Sequence, residues 1–331
     1  MKLLKITLIN TALFLLLLFL AEGVASFLTK DSDLPSMSYS RFYELATKPN
    51  FNYRPQGSRH YPKHKGVFDS VYHYKKSFDR VVPQYNNQPT TEFIFMGCSF
   101  TFGVGVNDNE TLPAYFSEIN PEAISLNFGL PSFGPNESLA FLRQFKRKDE
   151  VPPSIKEHIG IYTLFNDHVN RSALNLSHLW WSDPRDIIYF EVKEGNLRGG
   201  EVLAKENYPL YIWSLFLKTS ELTKFFFTLA DNDIDRPLGT LFDQHDINLT
   251  AKVIKQIETE FMKRFPNSKF YVFLMETTSP KVIKALKSEE IFILNEDKPF
   301  ASLKGLPDGH LKPSGNKEMA EFLLDTINAT Q

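Results

Sequence analysis

The chain has 331 residues, 42% hydrophobic and 23% charged, the composition of a folded protein with one large core or two modest ones. A formal net charge of -2 supplies no basic field to gather nucleic acid. The single cysteine, Cys98, excludes an intrachain disulfide.

Lys2 and Lys5 precede an apolar run that is unbroken from Ala12 to Ala21. This order predicts a signal peptide or membrane anchor over residues 1–28. The run is short for a spanning helix, which needs about 20 residues, and Gly23-Val24-Ala25 offers a cleavage site. Both outcomes place the body of the protein outside the cytoplasm, in the periplasm or envelope. An uncleaved segment would run N-in, C-out.

Residues 29–90 are polar, aromatic and rich in turn formers, and read as a lead-in that wraps the following domain. His60 and His64 have a spacing that suits a metal only on a helix. Pro62 lies between them and no cysteine or carboxylate completes a set, so no metal is expected there.

From Phe93 the pattern becomes regular. Phe93–Met96, Ile124–Phe128, Ile159–Phe165, Phe270–Met275 and Ile291–Leu294 read as short buried strands. Leu112–Ile119, Asn136–Lys148, Leu249–Phe265, a segment from Pro280, and Pro313–Ile327 read as helices between or after them. The alternation predicts an α/β fold, a parallel sheet with helices on both faces. Residues 168–248 break the rhythm with Trp180-Trp181, a strand at Ile187–Phe190 and an aromatic stretch from Tyr208 to Phe227. They read as an insertion over the carboxyl edge of the sheet.

Functional groups of open parallel sheets gather at the carboxyl ends of strands. Ser99 follows the first strand, Gly129 the second and Asn166 the third, and Asp308 and His310 follow the last through a loop. A serine, a histidine and an aspartate can perform acyl transfer as nucleophile, base and orienting acid. The backbone N–H groups of Ser99 and Gly129 and the side-chain amide of Asn166 could hold the oxyanion. The glycines from Gly97 to Gly105 fit neither a phosphate loop nor a dinucleotide fingerprint, and no cofactor is expected. Thr101 also departs from the Gly-x-Ser-x-Gly of α/β-hydrolases.

In family order, four blocks of this chain resemble the SGNH (GDSL-like) hydrolases. They are Gly97-Cys98-Ser99-Phe100-Thr101-Phe102-Gly103, Asn127-Phe128-Gly129, Phe165-Asn166-Asp167 and Asp308-Gly309-His310-Leu311. The resemblance runs from about Phe93 to the C-terminus, outside the insertion. It implies a three-layer, flavodoxin-like α/β/α domain over 91–331. It also implies Ser99 as nucleophile, His310 as base, Asp308 as orienter, and Ser99, Gly129 and Asn166 in the oxyanion hole. Two positions depart from the family pattern: Cys98 stands where the family has aspartate, and Asp308 lies two residues before His310 where three is usual. The expected activity is hydrolysis of an acyl ester, such as an O-acetyl group on an envelope glycan. The same residues would serve an O-acyltransferase, and the two departures would suit a non-catalytic glycan-binding or assembly protein.

Overall fold

Both faces of the central sheet are covered, which is why its strands read as apolar runs without alternation. The computed structural model describes residues 13–14, 16–26, 57–61, 70–75, 79–145, 151–175, 178–179, 182, 184–185, 187–220, 222–223, 243–298, 300, 305–306 and 309–330. His64, Trp180, Trp181, Pro307 and Asp308 lie outside them.

Helix α1 covers 16–26, within the expected signal or anchor. Among the described residues no helix is long and apolar enough to cross a membrane. Strands β1 (Gly57–Tyr61) and β2 (Ser70–Tyr74) pair antiparallel in the lead-in, so His60 lies on a strand. Then follow β3 (Thr91–Gly97), the single turn α2 (Ser99–Phe102), α3 (Leu112–Ile119), β4 (Ala123–Gly129), α4 (Pro135–Gln144), β5 (Glu157–Leu164) and α5 (Asp167–Ala173). The insertion supplies the antiparallel pair β6 (Ile188–Lys193) and β7 (Asn196–Val202), with α6 (Leu203–Glu206) and α7 (Tyr208–Thr219). The chain ends with α8 (Gln244–Arg264), β8 (Ser268–Leu274), α9 (Pro280–Ser288) and α10 (Pro313–Thr330).

The sheet order is β4-β3-β5-β8, all parallel. Side chains alternate between two cores, as the period of a strand requires. Ile94 and Met96 point to the layer of α4, α5, α8 and α9, whereas Phe93 and Phe95 point to the layer of α3 and α10. The expected three-layer α/β/α arrangement is present. The expected fifth strand, Ile291–Leu294, is not a full strand: it contributes one parallel bridge, Ile293 to Val272, before the chain turns away.

In the insertion, Leu174, Leu179, Ile187, Leu203 and Leu217 form a small separate core. Helix α5 itself packs on α8 in the main core, and Leu174, the residue after it, belongs to the small core.

The chain runs from β3 to β4 on one side and then crosses to β5 on the other. Such a switch point opens a crevice beyond the strand ends. Ser99 and Asn166 follow the two strands that flank it.

Candidate active site

Ser99 is the first residue of α2, two residues beyond the end of β3. Cys98 is extended and its carbonyl accepts the Phe102 N–H at 2.9 Å, closing the turn. The first N–H of a helix has no partner within it. Neither that N–H nor Ser99 Oγ is hydrogen-bonded among the described residues. Ser99 retains 9% exposure while Cys98 is fully buried. Of these two residues, Ser99 therefore keeps some surface and Cys98 none.

The turn is clamped from several sides. Gly97 has φ 148, and a Cβ there would strike the hydroxyls of Thr101 and Thr163, which bond each other. Gly97 pairs in register with Gly129 of β4. Gly129 N–H, expected to face an oxyanion, donates instead to Asn127 Oδ1 at 3.0 Å. The same Asn127 side chain donates from Nδ2 to the carbonyls of Thr101 (3.0 Å) and Phe102 (3.2 Å). Gly129 also leaves room for α2, since a Cβ would lie 2.5 Å from Phe102 N and 2.6 Å from Thr101 Cβ. Replacing it with alanine should displace α2 and cost about 1–3 kcal/mol, the range for overpacking a filled site. The urea midpoint would measure this, and an unchanged midpoint would exclude it.

The lead-in completes the clamp. Arg80 is buried in full and forms a single antiparallel bridge with Asn127 at the outer edge of β4. Its guanidinium donates to the carbonyls of Phe102, Gly103 and Val106, each at 2.7 Å, and to Asp108 Oδ1 at 2.8 Å. It lies 4.4 Å from the Tyr72 ring centre and 4.7 Å from that of Phe102. Burial lowers its pKa, and the Asp108 carboxylate works against that shift.

His310 leaves a tight loop in which Leu306 N–H donates to the His310 carbonyl and Gly309 N–H to the Leu306 carbonyl. Its ring packs 5.1 Å from that of Phe100, the neighbour of Ser99. The Phe100 ring also packs 5.0 Å from Phe165, which precedes Asn166. One aromatic side chain therefore brings the loops after β3 and β5 and the His310 loop together. Asp308 lies outside the described residues.

Asn166 is fixed from the next strand. Its N–H donates to Glu276 Oε1 at 2.7 Å, and its Nδ2 to the Thr277 carbonyl at 2.9 Å. The Asn166 side chain also hydrogen-bonds the Glu276 carboxylate. Burial, and after it the charge of Asp167, raises the Glu276 carboxyl above the usual range.

Beneath Asn166, α5 is locked to the loop after β4. Arg171 binds Asp167 at 2.6 Å and the Phe133 carbonyl at 2.9 Å. Burial opposes the Asp167 charge, but Arg171 and Asn170 more than offset it and hold its pKa low. Burial, aided by Arg171, lowers both His168 and His178 to about 3.

Unfolded histidine titrates near pH 6.5. Between about 6.5 and 3 the unfolded chain therefore binds more protons, and stability falls with pH. The slope is about 1.4 kcal/mol per pH unit for each histidine. Glu137 and Glu276, both raised chiefly by burial, oppose this just above the ordinary carboxylate range. The urea midpoint should be lower at about pH 5.5 than at 7.5, and His168→Gln should reduce the difference by about half. Equal wild-type midpoints would rule this out.

Arg80, Phe100, Asn127 and Glu276 were not among the sequence candidates. Glu276 follows β8 as Asn166 follows β5, so the strand-end rule could have found it. Nothing local marks Arg80.

No family model matches the sequence, and no curated protein matches it. Among solved structures, the chain is similar to a member of the lipolytic protein G-D-S-L family from Veillonella parvula. The identity is 8% and the TM-score 0.36, covering 71% of this chain and 97% of that one. It is also similar to a carbohydrate esterase family 2 enzyme with a carbohydrate-binding domain from Corynascus thermopiles (Myceliophthora fergusii). There the identity is 10% and the TM-score 0.41, covering 76% and 68%. An acetyl xylan esterase from the rumen bacterium Butyrivibrio proteoclasticus matches at 11% identity and TM-score 0.40, covering 76% and 66%.

Proposed function

We propose that this protein is a serine esterase of the SGNH type that removes a small acyl group from an oxygen ester. The observation that carries the reading is the convergence on Phe100. Its ring joins the His310 loop and the strand end of Asn166 to the turn of Ser99. The Ser99 hydroxyl attacks the acyl carbonyl carbon and its proton passes to His310. The Ser99 N–H and the Asn166 side-chain amide hold the oxyanion. Collapse breaks the ester bond, the alcohol leaves with the proton from His310, and an acyl-serine remains. Water, deprotonated by His310, then releases the acid and restores Ser99. Asp308 is the carboxylate assigned to orient His310, on its place in the sequence alone.

Ser99 is only 9% exposed and lies beside packed aromatic rings, which favours a short acyl chain such as acetyl. The leaving alcohol assigned is a hydroxyl of an envelope glycan. The basic flank and the apolar N-terminal run favour an enzyme held at a bilayer with its body outside the cytoplasm. A fluorophosphonate probe applied to the full chain should form its adduct on Ser99, located by peptide mass spectrometry. The enzyme should also release acetate from an acetylated glycan. An adduct on Cys98, or none on a folded protein, would overturn the assignment. Incorporation of acetyl into the glycan without release would replace hydrolysis by transfer.

A further inference from the structure

Helix α7 of the insertion has one buried and one bare face. Ser214 and Leu217 point inward, Leu217 onto the small core of the insertion. Tyr208, Ile212, Trp213 and Phe216 point outward and are 41–61% exposed. Their spacing of four, one and three residues makes a single stripe on a helix. The Trp213 and Phe216 rings stack at 5.5 Å. No charged residue stands among these four.

A second bare apolar surface lies on α1, where Leu16, Leu17, Phe19 and Leu20 are 54–76% exposed. The two helices are joined at one carboxylate. Ser220, the residue that closes α7, donates its hydroxyl to Glu22 Oε1. The Leu222 N–H donates to Glu22 Oε2 at 2.9 Å. Ala25 is buried, so the C-terminal end of α1 is seated on the body while its leucines project from it. A carboxylate is costly in hydrocarbon. Glu22 is instead satisfied by the insertion, at the point where the apolar length of α1 begins.

We propose that the outer stripe of α7 lies in the head-group and acyl boundary of a lipid bilayer, beside the place where the N-terminal segment enters it. Continuity selects lipid as the occupant: the stripe adjoins, through Glu22, a helix whose exposed surface is leucine and phenylalanine. Tyrosine and tryptophan are the side chains favoured at that boundary. The body would then be held at two places, which fixes its orientation as a single anchor cannot. This inference rests on the anchoring part of the proposed function and not on the ester chemistry.

The test uses the full chain in vesicles of phosphatidylcholine and phosphatidylglycerol carrying bromine on the acyl chains near the head group. Trp213→Phe, a substitution on the exposed face, isolates the Trp213 signal by difference. Flotation with the vesicles should be accompanied by quenching of that signal by bromine. Its quenching by aqueous acrylamide should fall at least about two-fold, as for a ring buried in the interface. Flotation with Trp213 unquenched by bromine and open to acrylamide would overturn the inference and leave the anchor standing. Failure to float would remove both. Shielding from acrylamide that grows with protein concentration, without bromine quenching, would assign the face to a second copy and overturn the lipid assignment. Hydrolysis of p-nitrophenyl acetate in the same samples reports separately on the esterase.

Discussion

Replacing Ser99 with alanine should lower kcat/KM for p-nitrophenyl acetate by about ten-thousand-fold or more, because the acyl-enzyme can no longer form. The same change should leave the urea midpoint almost unmoved. The Ser99 hydroxyl makes no hydrogen bond among the described residues, and the two bonds its carbonyl accepts, from Gly103 and Val104 N–H, survive the substitution. Its loss also removes little buried surface, and alanine suits a helix better than serine does. Loss of rate without loss of stability marks a group that acts only on substrate.

Cys98→Ala should give the opposite pattern. The thiol is fully buried beside the end of β3, so its removal leaves a small void and costs about 1–2 kcal/mol. The rate per folded molecule should stay within about three-fold of wild type, well under one power of ten in transition-state stabilisation. If Ser99→Ala retained activity and Cys98→Ala lost it, the thiol would be the nucleophile and the burial argument would fail.

How far the sequence revealed this site depends on the range over which each feature is encoded. Helix α3 was legible to the residue because its signals are local: Thr111 accepts the Ala114 N–H as cap, and Pro113 stands in the first turn. Helix α8 begins at Gln244 and not Leu249, because its cap, Asp243, lies six residues before the apolar pattern that announces it. Four strands were visible as apolar runs. The fifth failed because a run of four residues can bridge a sheet at one position or pair along its length, and periodicity does not separate the two.

The site divides in the same way. Ser99 and Asn166 were placed by the rule that strand ends carry function. Gly129 was placed by the same rule, and its N–H donates to Asn127 Oδ1. Whether its N–H faces a crevice depends on Asn127, two residues earlier, folding back to accept it. Phe100 was part of the quoted motif, yet its link to Phe165 and His310 spans 65 and 210 residues of sequence. Such contacts are set by tertiary packing, and no pattern in one chain displays them.

Arg80 is the furthest case, and its removal should have the largest effect on folding. Arg80→Met should cost about 3–5 kcal/mol, the range for taking one partner from a buried charge pair. Four charge-assisted bonds disappear together. The carbonyls of Phe102, Gly103 and Val106 each lose the guanidinium donor, leaving Phe102 with Asn127 Nδ2 and Gly103 with the Val106 N–H, and Asp108 keeps its contact with His73. Methionine preserves much of the apolar contact with Tyr72 and Phe102, so the cost reads the polar bonds more than the packing. Arg80→Lys should recover part of the stability, since an ammonium restores the charge but cannot span three carbonyls and a carboxylate. Asp108→Asn should cost less than Arg80→Met, because the three carbonyl bonds survive it. The bonds end on the last turn of α2, so the effect should reach chemistry as well as folding. The rate of fluorophosphonate labelling at Ser99 in folded Arg80→Lys should fall about ten-fold or more, as expected when a nucleophile is held loosely. A urea midpoint unchanged in Arg80→Met would show that the clamp is not what holds this turn. Unchanged labelling in a destabilised Arg80→Lys would confine Arg80 to folding and deny it a part in positioning Ser99.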